Sequence, residues 1–123
     1  MRKVALIPVY NEESTLVSVL NPLSRQVDLI VIVDDGSTDR SHALAESWAQ
    51  VHGRAKVLRL PENRGMSSAL REGFLYVVSL LERRELDPND VLLTLDADGQ
   101  HDSRVIPALC DHMQRQQLDV ALT

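Results

Sequence analysis

Apolar and polar residues come in alternating blocks, and the blocks differ in their period. Residues 29–33, Leu-Ile-Val-Ile-Val, are apolar at each position and mostly β-branched. That pattern predicts a strand covered on both faces, as in a parallel sheet with helices on each side. Three further short apolar runs predict strands at residues 3–9, 57–60 and 91–95, and residues 119–122 begin a fifth. Pro8 near the end of the first run argues that the hydrogen-bonded ladder stops there.

Between the strands the period lengthens to that of a helix. Leu16, Val19, Leu20 and Leu23 share one face, with Asn11 as a plausible N-cap and a stop or bend at Asn21-Pro22. A second helix over residues 38–52 presents Leu44, Trp48 and Val51, is capped by Ser37 or Thr38, and stops at Gly53. The third carries Leu70, Phe74, Val77, Val78 and Leu81, the clearest amphipathic stripe in the chain. Asp87-Pro88-Asn89-Asp90 reads as a turn, and residues 104–116, with Ile106, Leu109, Cys110 and Met113, as a fourth helix. The order β-α-β-α-β-α-β-α-β, with short connections, predicts an α/β fold. Right-handed crossovers stack its strands into one mostly parallel sheet with helices on both faces.

Composition narrows the function. The 123 residues suit one domain, 1–123, and the last strand ends the chain with an uncovered edge. We therefore expect a unit incomplete at its C-terminus, marginally stable or associated as a homo-oligomer. Net charge is -5, without a cluster of Lys or Arg, which speaks against nucleic acid as a partner. The single cysteine, Cys110, permits no internal disulfide and fits a reducing, cytoplasmic setting. No stretch approaches the ~20 apolar residues of a membrane span.

Three strands end in polar clusters. In open α/β sheets the carboxyl edge of the strands is where ligands bind. Asp34, Asp35 and Gly36 follow the central run, and Tyr10, Asn11, Glu12 and Glu13 follow the first. Asp96-Ala97-Asp98-Gly99-Gln100 follows the fourth, with Asp96 and Asp98 at the spacing that points two carboxylates one way. Such a pair can hold Mg²⁺ or Mn²⁺, with water and substrate phosphate completing the shell, and Gln100 adding an amide oxygen. An Asx-turn explains the same residues, and both readings stand. Gly99 is in the wrong place for a calcium loop of the EF-hand type, and neither a dinucleotide glycine fingerprint nor a phosphate-binding glycine loop exists. His101 is either a further ligand or a loop histidine. His42, His52 and His112 fall on helices without partners and are expected to face solvent, and Arg64 beside Gly65 either meets a phosphate or is an ordinary loop arginine.

Four stretches taken together resemble the family 2 glycosyltransferases, whose Rossmann-like fold is called GT-A. They are IPVYNEE at residues 7–13, VDDGSTD at 33–39, ENRGMSSALREG at 62–73 and LDADGQHD at 95–102. The last is most similar to the branch containing polyprenyl-phosphate mannosyl- and glucosyltransferases. The resemblance implies a metal-dependent transferase that moves a sugar from a nucleotide-diphosphate donor, GDP- or UDP-linked, to an acceptor such as a polyprenyl phosphate at the membrane surface. It implies that Pro8, Tyr10 and Glu12 line the nucleotide pocket, that Asp35 contacts base or ribose, and that Asp96 and Ala97 stand on the ribose side. Asp96, Asp98 and Gln100 would hold the Mg²⁺ or Mn²⁺. Members usually carry more glycine and a basic residue where this chain has Met66-Ser67-Ser68. They also continue through an acceptor site, so the catalytic base is expected beyond residue 123. A module that binds a nucleotide sugar without transferring it is the alternative. A nucleotidyltransferase or a receiver-like phosphoacceptor domain accounts for fewer of the clusters.

Overall fold

The computed structural model describes residues 2–97 and the backbone of residues 120–122. The expected helix over residues 104–116, with Cys110 and His112, lies outside them, as do Asp98, Gln100, His101 and Asp102.

Five parallel strands form one sheet in the order β3-β2-β1-β4-β5. They are β1 (Lys3–Val9), β2 (Leu29–Asp34), β3 (Ala55–Arg59), β4 (Val91–Thr94) and β5 (Val120–Leu122). Three helices, α1 (Leu16–Ser24), α2 (Ser41–His52) and α3 (Met66–Glu82), connect the first four strands. The α/β, mostly parallel architecture expected from the alternating periods is the one observed.

Residue alternation in the two central strands divides the core into two layers. Ala5, Ile7 and Val9 of β1 and Ile30 and Ile32 of β2 pack with Leu16, Leu20 and Leu23 of α1 and Ala45 and Trp48 of α2. Val4, Leu6, Val31 and Val33 point the other way, onto Ala69, Val77 and Leu80 of α3. Each strand therefore buries both its faces, which is why its sequence is continuously apolar.

Pro8 interrupts the ladder on one side only. Leu6 O accepts the Leu95 N–H, whereas Val9 O accepts the Asp35 N–H. Pro8, two residues past Leu6, thus turns its nitrogen toward β4, whose pairing with β1 has ended at Thr94. Toward β2 the pairing continues through Pro8 to Val9, opposite Asp34.

Several local expectations are corrected. Asn11 does not cap α1: it lies at φ 52, and Thr15 occupies the N-cap. Its carboxamide is drawn off by a partner loop described below. Helix α1 does not end at Leu20 but carries Pro22 inside and runs to Ser24. Pro22 sits in the final turn, and Asn21 beside it is fixed by accepting the Trp48 indole N–H at 2.8 Å. Neither Ser37 nor Thr38 caps α2, which begins at Ser41 after Arg40. Val51 is 81% exposed rather than on the buried face, while Gly53 ends the helix in a left-handed conformation as expected.

The largest difference concerns α3. Its buried residues are Ala69, Gly73, Val77 and Leu80, whereas Phe74, Val78 and Leu81 of the expected stripe are exposed. The reason is distance: a Cβ on Gly73 would lie 2.2 Å from Leu6 Cδ1. The helix rests on β1 through its smallest side chains, so the larger ones are turned aside.

Candidate functional site

The loops at the carboxyl ends of β1 and β2 are interlocked. Backbone N–H groups of the first loop are accepted by side chains of the second: Asn11 N–H by Ser37 Oγ at 2.9 Å, Glu12 N–H by Ser41 Oγ at 2.8 Å, and Glu13 N–H by Asp39 Oδ2 at 3.2 Å. The second loop is held in return. Asn11 Oδ1 accepts the Thr38 N–H at 2.8 Å, and Glu13 Oε2 accepts the Arg40 N–H at 3.1 Å. Asn11 reaches that position through its left-handed backbone, which Asn tolerates better than most residues. Burial works upward on the Asp39 carboxyl, but hydrogen bonds from Ser41 and from the Glu13 N–H outweigh it and hold the group below its ordinary value.

The two adjacent acids at the end of β2, Asp34 and Asp35, have separate tasks. Asp34 is fully buried, with Oδ1 accepting the Ser37 N–H at 3.2 Å. Its other oxygen faces Arg59 Nε and His42 Nδ1, each at 3.6 Å. That corrects the expectation for His42, which lies against a buried carboxylate instead of facing solvent, with Glu46 at 3.8 Å on its outer nitrogen. His52 stacks on Trp48, with ring centroids 3.9 Å apart. Asp35 is 3% exposed and accepts the Arg64 N–H at 3.0 Å and the Gly65 N–H at 2.8 Å, tying down the loop after β3. Gly36 makes the close approach of that loop feasible, since a Cβ there would lie 2.5 Å from the Glu62 carbonyl carbon. The Arg64 guanidinium pairs with Glu62 at 3.2 Å on the surface.

A cavity of about 260 Å³ opens where these loops meet the end of β4. Pro8, Val9, Tyr10, Glu12, Asp35, Met66, Ala69, Asp96 and Ala97 line it. The structure thus gathers Pro8, Tyr10, Glu12, Asp35, Asp96 and Ala97, drawn from three separate strand ends, around one cavity. Val9, Met66 and Ala69 were not anticipated. Met66 and Ala69 lie three apart at the start of α3, one helical turn, which is the signal that would have paired them.

The chemistry of the lining is mixed. Pro8, Val9, Tyr10, Met66 and Ala69 supply apolar surface, as small-molecule sites usually do. Three carboxylates, Glu12, Asp35 and Asp96, share the cavity, and no Lys or Arg is among the described lining residues. Carboxylate oxygens suit hard divalent ions such as Mg²⁺ and Mn²⁺. Among the described residues no three His, Cys, Asp or Glu side chains are grouped around one point, so water and ligand oxygens would complete the shell of an ion held here. No described helix is long and apolar enough to cross a membrane.

Known proteins are similar to this chain in sequence and, separately, in fold. An undecaprenyl-phosphate 4-deoxy-4-formamido-L-arabinose transferase of Pseudomonas aeruginosa (strain LESB58) is 38% identical over 114 residues, which cover 86% of this chain and 30% of that protein. The transferase of the same name from Edwardsiella ictaluri is 35% identical over 114 residues, covering 86% of this chain and 32% of the relative. The chain therefore spans about a third of the length of either. Among solved structures, S. aureus TarS 1-349 in complex with UDP aligns with a TM-score of 0.71 at 20% identity, over 95% of this chain and 33% of that one. At that identity the likeness is one of fold. The sequence profile of Glycosyl transferase family 2 matches residues 4–123, nearly the whole chain, and the chain belongs to that family.

Proposed function

We propose that this chain is the donor-binding part of a metal-dependent glycosyltransferase that moves a sugar from a nucleoside-diphosphate donor to a polyprenyl phosphate. The observation that carries the reading is the cavity with three carboxylates and an apolar flank at the carboxyl edge of the sheet. Its apolar side, with Tyr10 41% exposed at the rim, offers a surface for a base. Glu12 and Asp35 offer acceptors for the N–H and hydroxyl groups of base and ribose. The diphosphate cannot approach three carboxylates unaccompanied. Asp96 and, outside the described residues, Asp98 and Gln100 would hold Mg²⁺ or Mn²⁺ there. The ion supplies positive charge against the negative charge that grows on the departing nucleoside diphosphate.

The chain's own contribution is orientation. The interlocked loops fix Glu12 and Asp35 before any ligand arrives, which reduces the ordering cost of binding. The acceptor class is supported by the relatives, which are undecaprenyl-phosphate transferases by name, and the donor class by the UDP complex of the TarS neighbour. An acceptor that is itself a phosphate is already anionic and places a weaker demand on a general base. Such an acceptor brings the enzyme to the cytoplasmic membrane surface.

Calorimetric titration of UDP and GDP, each with Mn²⁺, Mg²⁺ or chelator, tests the reading. Binding is expected with metal and not with chelator. Asp98→Asn, which keeps shape but removes charge, should weaken it at least tenfold, a typical effect of losing an ion's ligand environment. Asp102→Asn should matter less. Equal affinities for wild type and Asp98→Asn, or indifference to chelator, would refute metal dependence. Transfer to polyprenyl phosphate by the longer protein carrying this sequence tests the acceptor.

A further inference from the structure

We infer that Thr15 is a positioning residue for the acidic loop after β4, holding the Ala97 carbonyl so that Asp96 is presented to the cavity. The inference rests on the donor-site reading above.

Thr15 is the N-cap of α1, where a threonine ordinarily accepts a hydrogen bond from an N–H of the first turn. Here it makes no side-chain capping bond. Its hydroxyl instead donates to the Ala97 carbonyl oxygen at 2.6 Å, across 82 residues of sequence. The hydroxyl that elsewhere serves its own helix is here turned to a contact between two loops. Ala97 is 3% exposed, and its carbonyl has little access to water as a substitute partner.

The same hydroxyl lies 3.3 Å from Glu12 Oε2. A hydroxyl has one proton to donate, and the shorter contact takes it. Glu12 therefore keeps its acceptor capacity for the cavity that it lines. One side chain thus sets two walls of the site. It anchors Ala97, the immediate neighbour of Asp96, and it stands behind Glu12. The backbone of Thr15 is independently fixed by its own N–H to Glu12 O at 3.1 Å and by the Val19 N–H to its carbonyl at 3.0 Å. The anchor is rigid, as a positioning group must be.

The test compares wild type, Thr15→Val and Thr15→Ser. Valine keeps the branched shape and loses the hydroxyl, whereas serine keeps the hydroxyl. Two ligands are titrated in the presence of Mn²⁺: UDP, which needs the ion, and uridine, which carries no phosphate. Thr15→Val should lose about tenfold in UDP affinity, the scale of an outer-sphere support of an ion site, with uridine affinity falling clearly less. Thr15→Ser should restore UDP binding. Equal UDP affinity in Thr15→Val, a parallel loss of UDP and uridine, or no rescue by serine overturns the inference while leaving the donor site intact. Failure of wild type to bind UDP with Mn²⁺ overturns the donor-site reading and this inference with it. A second measurement uses wild type alone and does not depend on the variant folding. The Thr15 hydroxyl proton should be protected from solvent exchange in NMR spectra, and exchange at the rate of a free hydroxyl overturns the inference.

Discussion

Replacing Gly36 by alanine should both weaken the fold and dismantle one wall of the site. Gly36 has φ 70, a left-handed backbone that costs an L-residue ~1–2 kcal/mol. The new Cβ would also stand 2.5 Å from the Glu62 carbonyl carbon and 2.6 Å from the Asn63 nitrogen. Both are backbone atoms, so no rotamer change relieves the contact. Opening 2.5 Å to an ordinary 3.4 Å moves the strand-exit loop by about 0.9 Å. The bonds from the Arg64 and Gly65 N–H groups to Asp35, at 3.0 and 2.8 Å, lie one and two residues beyond Asn63. A displacement of that size breaks at least one of them, and a hydrogen bond to a charged group is worth ~1.5–3 kcal/mol. Backbone strain and one lost bond together give a loss of about 2.5–5 kcal/mol, a large part of the ~5–15 kcal/mol typical of a domain. Urea melts followed by circular dichroism measure the loss, and amide exchange at Arg64 and Gly65 locates it. A midpoint equal to wild type, or undiminished protection of those two amides, would refute the reasoning.

Other substitutions separate buried from exposed positions and test the charges. Leu80→Ala should cost ~2–5 kcal/mol in urea melts, as truncations of buried leucine do, because Leu80 is 5% exposed. Phe74→Ala, on the same helix but 41% exposed, should cost about 1 kcal/mol or less in the same melts. Asn21→Leu should lose ~1–3 kcal/mol by leaving the Trp48 indole N–H without its acceptor, and Asn21→Asp should recover most of it. At Asp90 burial works upward, but the Asp87 and Arg2 N–H groups and the Arg2 charge outweigh it and hold the carboxyl below 3.8. A depressed folded value stabilises above the unfolded value and is lost as pH falls through the folded one. Asp90→Asn should therefore be less stable than wild type at pH 7, with the gap narrowing below pH 3.8. A gap that stays constant from neutral to acid pH would contradict that assignment.

Strands were legible because a strand buried on both faces has a continuously apolar sequence, and residues 29–33 could take no other place. The site's approximate composition was legible because polar clusters followed three of those strands. Orientation was not. In α3 the hydrophobic stripe pointed to Phe74 and Val78, but contact with β1 required small residues, and Gly73 carries no hydrophobic signal to count. Asn11 looked like a helix cap because sequence displays only near neighbours. Its partners, Thr38 and Asp39, lie on another loop. His42 looked solvent-facing for the same reason, since the Asp34 carboxylate beside it comes from a different strand. Thr15 had no distinguishing mark at all, because its role depends on a carbonyl 82 residues away.

The position of β1 sets a schedule for the growing chain. It is made before either of its neighbours, yet it ends up between β2 and β4. One of its edges can be paired as soon as β2 emerges. The other must wait for β4, roughly eighty residues later, or ~4–16 s at synthesis rates of ~5–20 residues per second. During that interval Leu6 and its neighbours present an open hydrogen-bonding edge, the kind that recruits other chains. Pro8, without an N–H on that side, shortens the edge during the seconds in which it is exposed.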